Sequence, residues 1–559
     1  MDAIQLRQAG LASAGLNLQV SEQSPQQFQQ AVTNKSADSL PDLLSNQSLN
    51  PTFEVTTVND SVTFSHTQRA DDTELYEPQA LQRQVRFSRA SEDEFKNPID
   101  QRLASGLEDF NDSSRWGRTA FTLGDLIKGD YTEYQQHAEN SISSAKTELG
   151  ALALDNRKAF STTTQAELTL QLTTRDGDVI TFSYAMNAGM AEQKDAGTYS
   201  FQEIALNYSV EGELSEEEKT ALAEFAKGLG AFARDFFTNP EATPDLGSLK
   251  LFDSKLIAGV NLELQGSDAS FELTLEDAEE TRKLDITWTN NESQWDSGAK
   301  EGRSSNTLQL LINKHGATEG RHIQKDLALS QQQDIIRESL TDARATSQQQ
   351  NYIQNAFSAI HQDLYFLPPE GSDAMVTGLA DYSLTFAGEL ELPMRSSEVL
   401  DAKVGETAEN LKGNQNSGLY EGIKDFQLSQ ETTIEESRDL LEITQQQKMK
   451  LDADFFSAAP HLENPDFSHQ TFIHHTIERE FEIVSHQQYD DLDLISATIS
   501  QHYSNQETIT EYNEGKVVDR WEKNKQVDKL VDNTELLRDG VTHQQQLDLV
   551  ENLLAAKIF

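Results

Sequence analysis

The sequence predicts an α+β protein of several domains. It calls for antiparallel, hairpin-rich sheets, a long amphipathic helix packed on one sheet, and a helical segment between β-rich regions. Three observations lead there. Short runs of alternating apolar and polar residues, bounded by turn residues, recur along most of the chain. One stretch, Leu222 to Phe236, instead repeats its apolar residues every three or four positions. The chain has 559 residues, more than one hydrophobic core ordinarily serves.

Taken in order, residues 1–50 are rich in Gln, Ser and Asn and read as a flexible polar arm, with a short weak helix from Ile4 to Leu18. Residues 51–150 form a mixed region with a β-hairpin. Phe53 to Val58 and Ser61 to His66 alternate on either side of Asn59 and Asp60. Arg83, Arg86 and Arg89 follow at spacings that scatter them over both faces of a strand.

Residues 151–295 read as an α+β module. Leu168, Leu170 and Leu172 alternate on one strand, and Ile180, Phe182 and Tyr184 on the next. Asp176 and Gly177 between them suit a turn whose central residues take positive φ. Ser215 and Glu218 form a capping box that opens a helix over 216–237. Leu222, Phe225, Leu229, Phe232 and Phe236 make its apolar stripe, and Asn239 with Pro240 ends it. Full burial of that stripe contributes on the order of 10 kcal/mol before entropy. Such a helix must therefore lie on a sheet or another helix.

Residues 320–370 read as a helical segment. Ile335, Ile336 and Leu340 mark one stretch, Ile353, Phe357, Ile360 and Leu364 a second, and Pro368 and Pro369 close it. Residues 380–525 return to strand texture as a β-rich hairpin region. Its last hairpin joins Thr508–Tyr512 to Val517–Trp521, with Gly515 at the left-handed position. Glutamine triplets at 331–333, 348–350, 445–447 and 544–546 share no flanking context and read as solvated faces. Residues 530–559 read as a C-terminal amphipathic helix capped by Thr542 and Gln545. Its stripe of Leu547, Val550, Leu554 and Ile558 is too short to be stable alone, so it must dock on its own chain or on a partner.

The composition narrows function by exclusion. Asp and Glu number 93 against 45 Lys and Arg, a net charge of -48. Such a surface repels nucleic-acid phosphate, so no nucleic-acid partner is expected. No cysteine is present, which removes thiol nucleophiles, disulfides and cysteine-held metals. No stretch of 18 apolar residues and no basic, apolar leader is found, so neither membrane insertion nor a cleaved signal is expected. The expected location is cytoplasmic, with secretion without a cleaved signal as the alternative.

No phosphate loop, nucleophile elbow, zinc-protease motif or calcium loop occurs. Gly228, Gly230 and Ala233 match a loose dinucleotide fingerprint but sit inside the 216–237 helix, where that motif has no function. Asp490, Asp491 and Asp493 form a short acidic cluster. Histidine is the unusual residue: six of twelve lie between 461 and 502. On a strand, Ile473, Ile477, Phe481 and Ile483 share one face and His474, Glu478, Glu480, Glu482 and His486 the other. On a helix, His474 and Glu478 are neighbours. The density of β-branched residues favours the strand. His474, Glu478 and His486 are the candidate metal ligands; whether Asp490, Asp491 or His361 converges on them separates a site from a solvated face.

The resulting expectation is a non-catalytic protein-binding or structural scaffold protein with an acidic surface. It has no expected cofactor, and its partners are other protein chains, its own copies included. One alternative is a metal-dependent module or hydrolase built on 461–502. Another is a signal-less export substrate of a bacterial appendage or secretion machine.

Overall fold

A computed structural model describes residues 52–58, 61–67, 82–90, 122–145, 162–193, 197–238, 246–249, 251, 256–267, 269–293, 301–319, 323–366, 376–392, 419–437, 440–457, 471–490, 493–514 and 516–535. The described chain is mostly antiparallel β-sheet with a few helices. It divides into two compact units, one holding the described residues up to Thr238 with 263–267, the other 256–262 and the rest. The polar arm 1–50 and the helix stripe of Leu547, Val550, Leu554 and Ile558 lie outside the described residues.

In the first unit, β1 (Thr52–Val58) and β2 (Ser61–Thr67) pair as a hairpin, with Val58 opposite Ser61. The main strands are β3 (Gln82–Ala90), β4 (Glu133–Ala145), β5 (Thr162–Thr174), β6 (Val179–Gln193) and β7 (Gly197–Glu211), ordered β5-β6-β7-β4-β3. Their alternation buries Leu168, Leu170, Leu172, Ile180, Phe182, Tyr184, Leu206 and Tyr208. A short helix α1 (122–128) adds Leu123, Leu126 and Ile127 to the core.

The β5–β6 turn differs from the expected two-residue form. Thr174 N–H donates to Asp178 O at 2.9 Å and Gly177 N–H to Thr174 O at 3.2 Å, which leaves a three-residue loop. Only Gly177 takes positive φ, 96°. This is a tight turn followed by a glycine in the left-handed region, so Asp176 needs no strained conformation.

Helix α2 (Glu216–Thr238) contacts β5 and buries Leu222, Phe225, Leu229, Phe232 and Phe236. Its N-terminus is closed reciprocally. Ser215 N–H donates to Glu218 Oε2 at 2.8 Å, and Glu218 N–H donates to Ser215 Oγ at 3.2 Å. Burial raises the pKa of the Glu218 carboxyl, but hydrogen bonds from Ser215 and Thr174 outweigh it and hold the group below its ordinary value.

The second unit contains β8 (Ile257–Gln265, of which 257–262 belong here), β9 (Ala269–Asp277), β10 (Thr281–Ser293), β11 (Glu301–Asn313), β12 (Ala317–Glu319), α3 (Ile323–Asp342), α4 (Ser347–Ile360), β13 (Leu364–Phe366), β14 (Tyr382–Leu392), β15 (Leu419–Ser437), β16 (Leu440–Ser457), β17 (Thr471–Asp490), β18 (Asp493–Asn513) and β19 (Lys516–Asp532). The sheet strands run β8-β9-β10-β11-β14-β15-β16-β17-β18-β19, so the last six form a simple meander. Each strand of the meander pairs antiparallel with the next in sequence, as consecutive elements commonly do.

Trp288 anchors the core under α4. Its ring lies 4.6 Å from that of Tyr352 and 6.0 Å from that of Phe386. Ile353, Phe357 and Ile360 are buried on the helix as expected. Leu364 is buried too, but from strand β13 rather than from a continued helix. The helix ends at Ile360, and two cations meet the carbonyls left free there and just beyond: Arg282 Nη1 donates to Ile360 O at 3.0 Å and Lys325 Nζ to Gln362 O at 2.9 Å.

The three glutamine triplets among the described residues are not wholly solvated faces; the triplet at 544–546 lies outside the described residues. Gln332, Gln349, Gln445 and Gln447 are buried. On a strand packed on one side, three consecutive residues cannot all face water. Three of the inward amides are hydrogen-bonded: Gln445 Oε1 accepts from Thr377 N–H at 3.0 Å, Gln447 Nε2 donates to Gln430 Oε1 at 3.1 Å, and Gln349 Nε2 donates to Asn306 Oδ1 at 2.7 Å; the buried amide of Gln332 has no hydrogen-bond partner among the described residues.

Candidate functional site

His474, Glu478 and His486 all lie on β17, which adopts the strand and not the helix. Alternation puts them on one face, but spread along it. At roughly 3.4 Å per residue, Glu478 is about 13 Å from His474 and His486 about 27 Å beyond that. An extended strand cannot wrap them round one ion. Asp490 lies at the far end of β17 from His474, and Asp491 is outside the described residues. His361 is buried beside Phe357 and Tyr382, its Nδ1 2.7 Å from Phe357 O. Among the described residues, no group of three His, Cys, Asp or Glu side chains is placed to hold a metal ion.

His474, His486 and His502 instead each meet a carboxylate from a neighbouring strand, whereas His475 Nδ1 lies 3.4 Å from Arg344 Nη2. His486 Nε2 lies 2.5 Å from Glu442 Oε1, and His502 Nδ1 2.5 Å from Asp528 Oδ1. The Asp528 contact holds His502 above its ordinary pKa. His474 is the most elaborated of the three. Its ring stacks on Phe456 with centroids 4.8 Å apart, and its Nε2 is 3.5 Å from Asp454 Oδ1.

Lys424 pairs with the other oxygen of Asp454. It reaches that position because β15 carries one extra residue there, out of register with both β14 and β16. Such a bulge re-aims a side chain that regular alternation would send elsewhere. The adjoining Gly422 has φ 134°, and a Cβ there would lie 2.3 Å from Gly388 O.

The chemistry of this cluster is that of an ion-pair network. Burial would raise the Asp454 pKa, but His474 and Lys424 overcome it and keep the carboxylate charged. Asp452 next to it moves the other way, through burial and the charges of Asp454 and Asp425. A carboxylate held below its ordinary range is a weak base, which works against acid–base chemistry at Asp454.

The other distinctive surface is β19. All but one of its seventeen residues are exposed, on both faces. Among the described residues, no strand pairs with its outer edge. It carries Val517, Val518, Trp521, Val527 and Leu530, five of the eight large apolar side chains exposed in the described chain. Leu530 is 74% exposed and Trp521 48%. By alternation, Trp521, Lys523, Lys525, Val527, Lys529 and Val531 share one face, a basic and apolar strip in a chain of charge -48.

Sequence reading placed a strand at Val517–Trp521, but β19 runs on to Asp532. The signal was present in the alternation of lysine with Trp and Val. An exposed strand and a half-buried one share that pattern, so it did not mark an edge. Compared with family models, curated proteins and solved structures, the chain matches none.

Proposed function

We propose that this chain is a non-catalytic, protein-binding structural component, and that β19 is the strand on which another chain docks by β-strand addition. The observation that carries the reading is the exposure of both faces of β19 together with its unpaired outer edge among the described residues. Protein edges that only avoid association are short, bulged, broken by proline or studded with charge, and the lysines of β19 alternate with exposed Trp521 and Val527 rather than replacing them. β19 has seventeen residues and no proline. It concentrates exposed apolar area where an added strand would cover it. The His–carboxylate pairs along β16–β19 support the same reading, because they tie strands together rather than form a catalytic cleft. The stripe of Leu547, Val550, Leu554 and Ile558 follows β19 in the chain and belongs to the same proposal as a second docking element.

A photo-crosslinking residue placed at Trp521 in the full-length chain tests this in producing cells. The expected result is one adduct of defined mass at position 521 and none at the exposed Ile434 on β15. Absence of any adduct at 521 overturns the docking-strand reading.

A further inference from the structure

We infer that the occupant of β19 is β19 of a second copy, paired antiparallel about a two-fold axis through Asn524. This rests on reading β19 as the docking strand and adds the identity and register of its partner. The argument comes from charge and shape along one strand. In a two-fold antiparallel pair centred on Asn524, each residue faces the one as far on the other side of the centre. Arg520 then faces Asp528, and Asp519 faces Lys529. Trp521 faces Val527, and Glu522 faces Gln526. Further out, Val518 is the extra residue of the β18–β19 bulge and stands outside this pairing. Every contact occurs twice by symmetry.

One juxtaposition in this register is unfavourable, Lys523 against Lys525. The structure already draws both lysines toward β18. Lys523 Nζ lies 3.4 Å from Glu507 Oε2, and Lys525 Nζ sits 5.3 Å from the centre of the Tyr503 ring. The bulge between β18 and β19 falls opposite Glu511 and Tyr512, outside the 519–529 stretch that carries the pairing. Neighbouring centres lose the match. Centring on Lys523 sets that lysine against itself and Arg520 against Gln526, and centring on Lys525 sets Glu522 against Asp528. Like charges directly opposite disfavour pairing, as opposite charges and aromatic–aliphatic pairs favour it. A -48 chain would otherwise repel its own copies, and β19 is a place where its charge is locally balanced, five basic residues against four acidic.

The absence of cysteine makes the register directly readable. At the two-fold centre, position 524 lies opposite itself within disulfide reach, whereas position 526 is separated from its own mate by about 13 Å along the strands. Mild oxidation of the full-length Asn524→Cys variant is expected to give a disulfide-linked dimer, and the Gln526→Cys variant is not. Sedimentation equilibrium of the unmodified chain should show a monomer–dimer equilibrium. Arg520→Asp should weaken it roughly tenfold or more, because two like-charge pairs replace two attractive ones. The double variant R520D/D528R should restore it. Linking at both cysteine positions or at neither, or a dimer indifferent to Arg520→Asp, overturns this register. A chain monomeric at all concentrations overturns self-pairing altogether. In that case an adduct of different mass at position 521 still supports the docking strand, and no adduct removes both readings.

Discussion

Arg282 and Asp277 form a buried pair, with Nε 3.2 Å from Oδ1 and Nη2 3.3 Å from Oδ2. The same guanidinium donates to Ile360 O at the end of α4, so one side chain joins the β9–β10 hairpin to the helix layer. Lys314 also pairs with Asp277. Burial opposes ionisation of Asp277, but these two cations hold its carboxyl below the ordinary range. Arg282→Met leaves a carbonyl and part of a carboxylate without their donor in a dry site. The expected cost is about 3 kcal/mol or more, read from the urea midpoint. A loss under about 1 kcal/mol would show that Lys314 and water compensate.

His361 gives the second unit a dependence on pH. Burial, reinforced by Lys325 and Arg282, lowers its pKa to about 4, against the ordinary value of 6.5. Between these values the unfolded chain binds the proton and the folded one does not. Stability is therefore complete above pH 6.5 and falls as the pH drops toward 4. Between pH 7 and 5 this residue should account for roughly 2 kcal/mol of lost stability. The acidic groups also titrate, so the measurement is the difference in urea midpoints between the natural chain and His361→Gln at both pH values. Equal pH slopes in the two proteins would remove the imidazole as the cause.

Phe232 is fully buried at the middle of the α2 stripe. Phe232→Ala should cost about 3–5 kcal/mol, the range for emptying a ring-sized space in a packed core. Circular dichroism during thermal unfolding checks it. A change below about 1 kcal/mol would mean that the stripe does not hold the first unit together.

Gly422→Ala tests the bulge that aims Lys424. The new methyl would meet Gly388 O at 2.3 Å, and its backbone at φ 134° suits only glycine. A cost of about 2–4 kcal/mol is expected from strain and the close approach together. If the variant is as stable as the natural chain, β14 and β15 can separate there without penalty.

Much of the fold was legible because it rests on local rules. Ser215 and Glu218 are three residues apart, so a capping box can be read without knowing the fold. Leu222 to Phe236 and the alternating Leu168 to Leu172 are periodic in ways that helix and strand geometry impose. The candidate site was less legible. His474, Glu478 and His486 were grouped because they are close in sequence, yet a strand moves each residue about 3.4 Å onward, so closeness along the chain became separation in space. The partners that matter, Asp454, Glu442 and Asp528, come from neighbouring strands, and their choice depends on register. The buried glutamines were missed for the same reason. Whether Gln445 faces water or Thr377 is decided by what covers β16, not by its neighbours in sequence.

The sequence alone determined the secondary-structure texture, the acidic charge, the lack of thiol chemistry, and the caps and turns that start and stop elements, since each depends on residues within a few positions. Only the tertiary structure decided that Lys424 is turned onto Asp454, that Arg282 closes the end of α4, and that β19 is left as an exposed edge. These outcomes depend on which strands become neighbours. The free energy of pairing and burial is shared among residues far apart in the chain, and a one-residue slip in register would reassign every face.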